Sequence, residues 1–256
     1  MTAAQAGVGR WIRRYQPAAT GAPRLLCLPH AGGSASFFVP TARSLAPDVE
    51  VLAAQYPGRQ DRRFEPCAGS IAELVDGLVE ELEPYLDQPL SIFGHSMGAV
   101  IGFELAGRLE REYDHSPEIL FVSGRRAPSC LRDERVHVAG DDAIIAEVER
   151  LSGTDSRILG DEDMVRMVLP ALRADYRAIE RYRMSSTTAG LRCPIAVLTG
   201  DADPQVRLHE AEAWRGHTGG PFDLQLYPGG HFYLTSQAGA VLAYLRERLT
   251  ARSDQR

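Results

Sequence analysis

The segment from Pro89 to Glu110 constrains this chain more than any other. It reads Pro-Leu-Ser-Ile-Phe, then Gly94-His95-Ser96-Met97-Gly98, then a helix-forming run from Ala99 onward. A short apolar strand that passes through Gly-x-Ser-x-Gly into a helix must turn sharply, and the turn pushes the serine out of the backbone line in a strained conformation. Gly94 and Gly98 are required because a Cβ at either position collides with the adjoining strand or helix. Ser96 is then set at a helix N-terminus, where the unpaired N–H of Met97 and the positive end of the dipole favour an oxyanion. Geometry, not acidity, makes such a hydroxyl reactive.

The bulk properties narrow what surrounds this turn. With 256 residues, 44% of them hydrophobic, the chain can bury a full α/β core in one domain. A net charge of −6 argues against nucleic acid or an anionic membrane as the main partner. Cys27, Cys67, Cys130 and Cys193 are scattered without C-x-x-C spacing, so neither a zinc site nor a disulfide framework is suggested. The four cysteines read as reduced packing residues of a cytoplasmic protein, the N-terminus shows no charged-then-apolar leader pattern, and no apolar run approaches a bilayer span.

In chain order, residues 1–10 read as a loose end, followed by an amphipathic piece, Trp11–Tyr15, that packs on the core. Arg24–Leu28 is a buried-type strand that ends in Pro29-His30-Ala31-Gly32-Gly33. A small residue beside paired glycines lets backbone approach a substrate carbonyl, so Ala31 is the candidate for a second oxyanion donor and His30 a residue that fixes the loop. A helix over 36–45 leads to a strand over 49–55, which ends in Tyr56-Pro57-Gly58-Arg59-Gln60-Asp61-Arg62-Arg63. Its three arginines form either a solvated surface or a site for a phosphate-bearing partner. Ile71–Leu82 repeats apolar residues at three and four and is an amphipathic helix. This alternation of strand and helix implies a parallel sheet.

After a strand over 118–123 the strand signal disappears until about residue 187. Three helical stretches fill the gap, 142–151, 161–169 and 172–182. The expected organisation is therefore a single domain over 1–256, with a core of 1–128 and 187–256 and a helical insertion over 129–186. An insertion placed directly after a strand suits a lid, and Met164, Met167, Val168, Leu172 and Tyr176 would give it an adaptable apolar face towards substrate. Strand signal resumes at Pro194–Thr199 and ends in Gly200-Asp201-Ala202-Asp203-Pro204. An acid in a turn after the serine is where a Ser…Asp…His order places its carboxylate. Asp203 is preferred over Asp201 because Pro204 favours an extended residue before it. A last strand, Phe222–Tyr227, precedes Pro228-Gly229-Gly230-His231-Phe232, and His231 is the candidate general base. A closing helix over 238–249 covers the sheet.

With Pro29–Gly33, Gln55–Arg59, Gly94–Gly98, Gly200–Pro204 and Gly229–Phe232 in one order, the chain closely resembles the type II thioesterases, the editing hydrolases of polyketide synthases and nonribosomal peptide synthetases. The segments Ser123–Pro128 and Leu169–Tyr176 look more like the polyketide-associated members. The resemblance runs from about Trp11 to the final helix. It implies an α/β-hydrolase fold: a mostly parallel central sheet flanked by helices, with a helical lid insertion. It further implies hydrolysis of aberrant or short acyl groups from the phosphopantetheine thiol of acyl or peptidyl carrier proteins, with no cofactor and no metal. In family terms the triad maps onto Ser96, Asp203 and His231, and the oxyanion donors onto the backbone of Ala31 and Met97. Carrier proteins are typically acidic, so Arg59, Arg62, Arg125 and Arg126 are candidates for a basic rim that touches them. A monomer is the default. A carboxylesterase, a chain-releasing thioesterase and a non-catalytic carrier-binding module are the alternatives.

Overall fold

A computed structural model of the chain describes residues 9–151, 162–184 and 190–251. Residues 1–8 of the loose end expected over 1–10, and residues 152–161, 185 and 186 of the insertion expected over 129–186, lie outside the described residues. No described helix is long and apolar enough to cross a membrane.

Seven strands form one sheet in the order β1-β3-β2-β4-β5-β6-β7. They are β1 (Ile12–Arg14), β2 (Arg24–Leu28), β3 (Glu50–Ala54), β4 (Leu90–His95), β5 (Leu120–Ser123), β6 (Ile195–Gly200) and β7 (Phe222–Tyr227). Every pair is parallel except β1 with β3, so the amphipathic piece expected over 11–15 is an antiparallel edge strand that pairs Ile12 with Ala54. The strand carrying the Gly-x-Ser-x-Gly turn is β4, the middle one of the seven.

Two helical layers cover the sheet because its strands are apolar on both faces, as a buried parallel sheet must be. Side chains alternate across the pleat, so Leu26 and Leu28 of β2 join Leu52 and Ile92 on one face, against α2 (Ile71–Leu82) and α3 (Met97–Glu112). Leu25 and Cys27 join Val51, Phe93 and Phe121 on the other face, against α1 (Val39–Leu45) and a C-terminal helix, Ala238–Thr250. These strand residues are at most 3% exposed, and each large aliphatic side chain so buried contributes about 1.5–3 kcal/mol. At its start α2 is capped by Ser70, whose hydroxyl accepts from the Glu73 N–H at 3.2 Å.

Between β5 and β6 the described residues form α4 (Asp141–Leu151) and α5 (Glu162–Arg181). The two helices expected on either side of Pro170 are one. Proline removes a single backbone bond, and here the apolar stripe of Val165, Ala171, Leu172, Ala174, Ala178 and Ile179 keeps one buried face through it. Ile144, Val148 and Leu172 tie α4 to α5 in a small cluster of their own. After β6 and β7 come the short α6 (Leu208–Glu212) and α7 (Tyr233–Ser236), and α8 is the closing Ala238–Thr250.

Candidate active site

All residues singled out for chemistry, apart from those on the insertion, follow the C-terminal ends of parallel strands. At the end of β4, Ser96 has φ 54° and ψ −113°, outside the usual regions for a side-chain-bearing residue. Such a conformation costs on the order of 1–3 kcal/mol and persists only when its surroundings impose it. Here a Cβ on Gly94 would overlap the backbone of Gly98, and one on Gly98 would overlap the carbonyl of Leu28. Strand and helix therefore touch backbone to backbone. The Ser96 N–H donates to the Ser123 carbonyl at 2.8 Å, which pins the turn to β5. Ser96 itself is half-buried.

His231, in the loop after β7, turns its Nδ1 to Asp203 in the loop after β6, 2.9 Å from Oδ2 and 3.1 Å from Oδ1. The Asp203 side chain is fully buried and that of His231 is 3% exposed. A carboxylate on Nδ1 fixes the ring with its proton there and leaves Nε2 as the acceptor. Asp203 Oδ1 also accepts the Gln205 N–H at 2.8 Å. Asp201 is exposed and serves the turn instead, accepting the Gly229 N–H at 3.0 Å.

Behind His231 the rings of His30, His95 and Phe232 pack mainly edge to face, with His95 5.1 Å from His231. Burial pushes His30 down to about 3, helped by the nearby His231 and Arg59, and burial also holds His95 well below the usual histidine range. Both are neutral rings at ordinary pH. His95 Nδ1 lies 3.0 Å from Ser123 Oγ, which lies 2.7 Å from the Tyr233 hydroxyl. The residue before the serine is thus tied to the residue two past the histidine.

Ser96, Met97, Ala31, His30 and His231 line one cavity of about 320 Å³, closed on the opposite side by Val148, Tyr176 and Ile179 of α4 and α5. Met97 opens α3, so its N–H belongs to the first turn, which has no intrahelical acceptors. A serine hydroxyl, an imidazole with a carboxylate behind it, and the residues Ala31 and Met97 line this space, and a set of this kind can carry out acyl transfer.

The insertion divides. Tyr176 faces the cavity that holds Ser96, whereas Met164, Met167 and Val168 line a separate groove with Gly32, Phe37, Arg59 and Arg63 on the far side of the Ala31 loop. Leu172 is buried between the two, against Gly32. Of the five residues expected to face substrate, one reaches the Ser96 cavity.

The basic rim is corrected. Arg59, Arg62 and Arg126 are 4–6% exposed and are spent inside the chain. Arg59 pairs with Asp175, Arg62 with Glu65 beneath the ring of Trp11, and Arg126 with Glu134. Charges that deep need partners, and these have them. Arg125 lines the Ser96 cavity with no ion pair among the described residues, and burial, with Arg126 adding to it, pushes it down to about 9. Residues the sequence did not single out are Asp175, Ser123 and Tyr233. The one signal for Asp175 is an acid on the apolar stripe of α5, three places after Leu172.

Comparison with known proteins agrees with this geometry. A family model described as thioesterase domain matches residues 23–249. The chain is 53% identical over 230 residues to thioesterase PikA5 of Streptomyces venezuelae, covering 90% of this chain and 82% of that protein. Its fold superposes on the type II thioesterase BorB from the borrelidin biosynthetic cluster with a TM-score of 0.88, at 51% identity, covering 93% of this chain and 97% of BorB. The RedJ thioesterase from the prodiginine pathway of Streptomyces coelicolor superposes with a TM-score of 0.85 at 35% identity, covering 91% of this chain and 93% of RedJ. The chain belongs to the thioesterase domain family, hydrolases of thioesters with the α/β-hydrolase fold, and its kin are the type II thioesterases of polyketide and nonribosomal peptide assembly lines.

Proposed function

We propose that this protein hydrolyses short or aberrant acyl groups from the phosphopantetheine arm of carrier proteins on a polyketide or nonribosomal peptide assembly line. The observation that carries the reading is Ser96, strained at the start of α3, in one cavity with His231 backed by Asp203. His231 Nε2 takes the Ser96 proton as Oγ attacks the thioester carbonyl, and the Ala31 and Met97 N–H groups hold the tetrahedral oxyanion. The C–S bond breaks, the thiol leaves with the proton from His231, and the acyl group stays on Ser96. Water, deprotonated by His231, then attacks the ester and releases the free acid. Asp203 orients the ring and stabilises its charged form throughout. A cavity of about 320 Å³ is at the small end of the range for ligand sites, about 300–1,000 Å³, which favours a short acyl group.

The test compares turnover of one short acyl group on a holo carrier protein, on free pantetheine and on an aryl alcohol, with Ser96→Ala as the blank. The reading expects the carrier thioester to have the highest kcat/KM and Ser96→Ala to be inactive. An aryl ester turned over as well as the carrier thioester would make the protein a general esterase. Near-normal activity in Ser96→Ala would remove the scheme.

A further inference from the structure

The loop that holds Ala31 is gripped from the insertion. Asp175 of α5 is 1% exposed, and its Oδ2 accepts the Gly32 N–H at 2.8 Å. The same carboxylate receives the Arg59 guanidinium in a two-point contact, 2.6 Å from Nη1 to Oδ2 and 2.9 Å from Nη2 to Oδ1. Arg59 Nη1 also donates to the Gly33 carbonyl at 3.2 Å, and Nε to the Pro57 carbonyl at 3.2 Å. Three places earlier on α5, Leu172 packs directly on Gly32 and leaves no room for a Cβ there, and the φ of +74° at Gly32 itself favours glycine. Gly32 and Gly33 are therefore held on both sides, by an apolar contact and by a buried ion pair whose members lie 116 residues apart.

We propose that Asp175 is a positioning residue for the oxyanion hole, setting the Ala31 N–H through the Gly32 peptide and making the α5 segment part of the catalytic geometry; this rests on the thioesterase reading above. The peptide plane that joins Ala31 to Gly32 carries the N–H that Asp175 holds. Holding that plane restricts ψ of Ala31, which together with φ of Ala31 sets the direction of the donor one residue back. Charge-assisted bonds to a buried carboxylate are strong and directional, and a two-point arginine contact adds a second constraint on orientation. A segment that swings away here must leave a buried guanidinium unpaired, which a protein interior strongly resists. The contribution belongs to the transition state, where the carbonyl oxygen gains charge, more than to ground-state binding.

The test measures kcat and KM for propionyl-pantetheine, together with Tm, in wild type, Asp175→Asn and the double variant Arg59→Met/Asp175→Leu. Exchanging a buried ion pair for apolar residues of similar volume is often neutral or stabilising, so the double variant removes the Gly32 acceptor without leaving a lone charge. Loss of one oxyanion donor costs about 10²–10³ in kcat, and a donor left in place but loosened should cost about 10–100-fold. The expected result is that fall in the double variant with KM within about threefold, and a smaller fall in Asp175→Asn, which keeps an oxygen for Gly32. A folded double variant with kcat within twofold of wild type overturns the proposal, as does a loss confined to KM. If neither variant melts cooperatively, the pair is a folding element and the proposal also falls. Should wild type itself not turn over the thioester above the Ser96→Ala blank, it is the thioesterase reading that fails.

Discussion

Asp203 and His231 meet at 2.9 Å although each comes from a different strand end, and Asp201, two residues away, is turned outward onto the Gly229 N–H. The two aspartates have separate tasks. Asp203→Asn should lower kcat by about 10³–10⁴-fold, because an amide on Nδ1 allows the wrong ring tautomer. Asp201→Asn should stay within about threefold of wild type. Steady-state kinetics on a pantetheine thioester separates them, and equal losses would mean that the acid has been misassigned.

Ser123 is the middle of a buried chain from His95 to Tyr233. Ser123→Ala strands a ring nitrogen and a phenol hydroxyl, each costing about 1–3 kcal/mol when left unpaired. Thermal melts should show a drop of about 4–24 °C, at about 2–4 °C per kcal/mol for a chain of this size. An unchanged Tm would mean that the two groups find other partners.

Burial holds the His30 ring down to about 3 in the folded protein, against about 6.5 in the unfolded chain. As pH falls below about 6.5 the unfolded state takes up a proton that the folded state refuses, so stability present above that pH is lost progressively down to about pH 3. The slope contributed by one such ring reaches about 1.4 kcal/mol per pH unit. Between pH 7 and pH 5, Tm of wild type should fall more steeply than that of His30→Gln. Parallel curves would show that His30 accepts its proton without resistance.

Arg125 stands in the cavity with no carboxylate partner among the described residues, pushed down to about 9 chiefly by burial. Glu134 nearby offsets part of the cost of a cation there but makes no ion pair with it, so the position still costs the fold. Arg125→Met should raise Tm by about 2–4 °C, the equivalent of about 1 kcal/mol. Denaturant melts at pH 7 check this, and a loss of stability would mean that the guanidinium is held by contacts stronger than its burial.

Much of this arrangement was legible in the residues because its cues are local. Gly94, Ser96 and Gly98 define their own turn, Pro204 follows the aspartate that meets His231, and His231 follows the last strand in a glycine loop. What stayed hidden depends on pairing across the chain. Arg59, Arg62 and Arg126 read as surface because isolated arginines usually are, and only the folded chain shows that Asp175, Glu65 and Glu134 make their burial tolerable. Pro170 read as a boundary because a proline lacks the N–H for a helical bond. The stripe that carries α5 through it outweighs that single missing bond. The far-side groove at Met164 and Met167 could not be told from the Ser96 cavity, since amphipathicity gives a helix an inner face without saying what lies beneath it.

The parallel sheet has one more consequence. Ala31, Ser96, Asp203 and His231 each follow a strand end by a few residues, and the strands that carry them are locked in register. The chain lengths spent on the crossovers behind the sheet have no bearing on where those four groups arrive. Such a framework tolerates exchange: helices, loops and most of the segment between β5 and β6 can be swapped for others as substrates change, while the reacting groups keep their spacing. Asp175 is where that freedom stops. A replacement for the segment that brought no carboxylate to Gly32 and Arg59 would inherit the serine and the imidazole, but not the grip on the loop beside them.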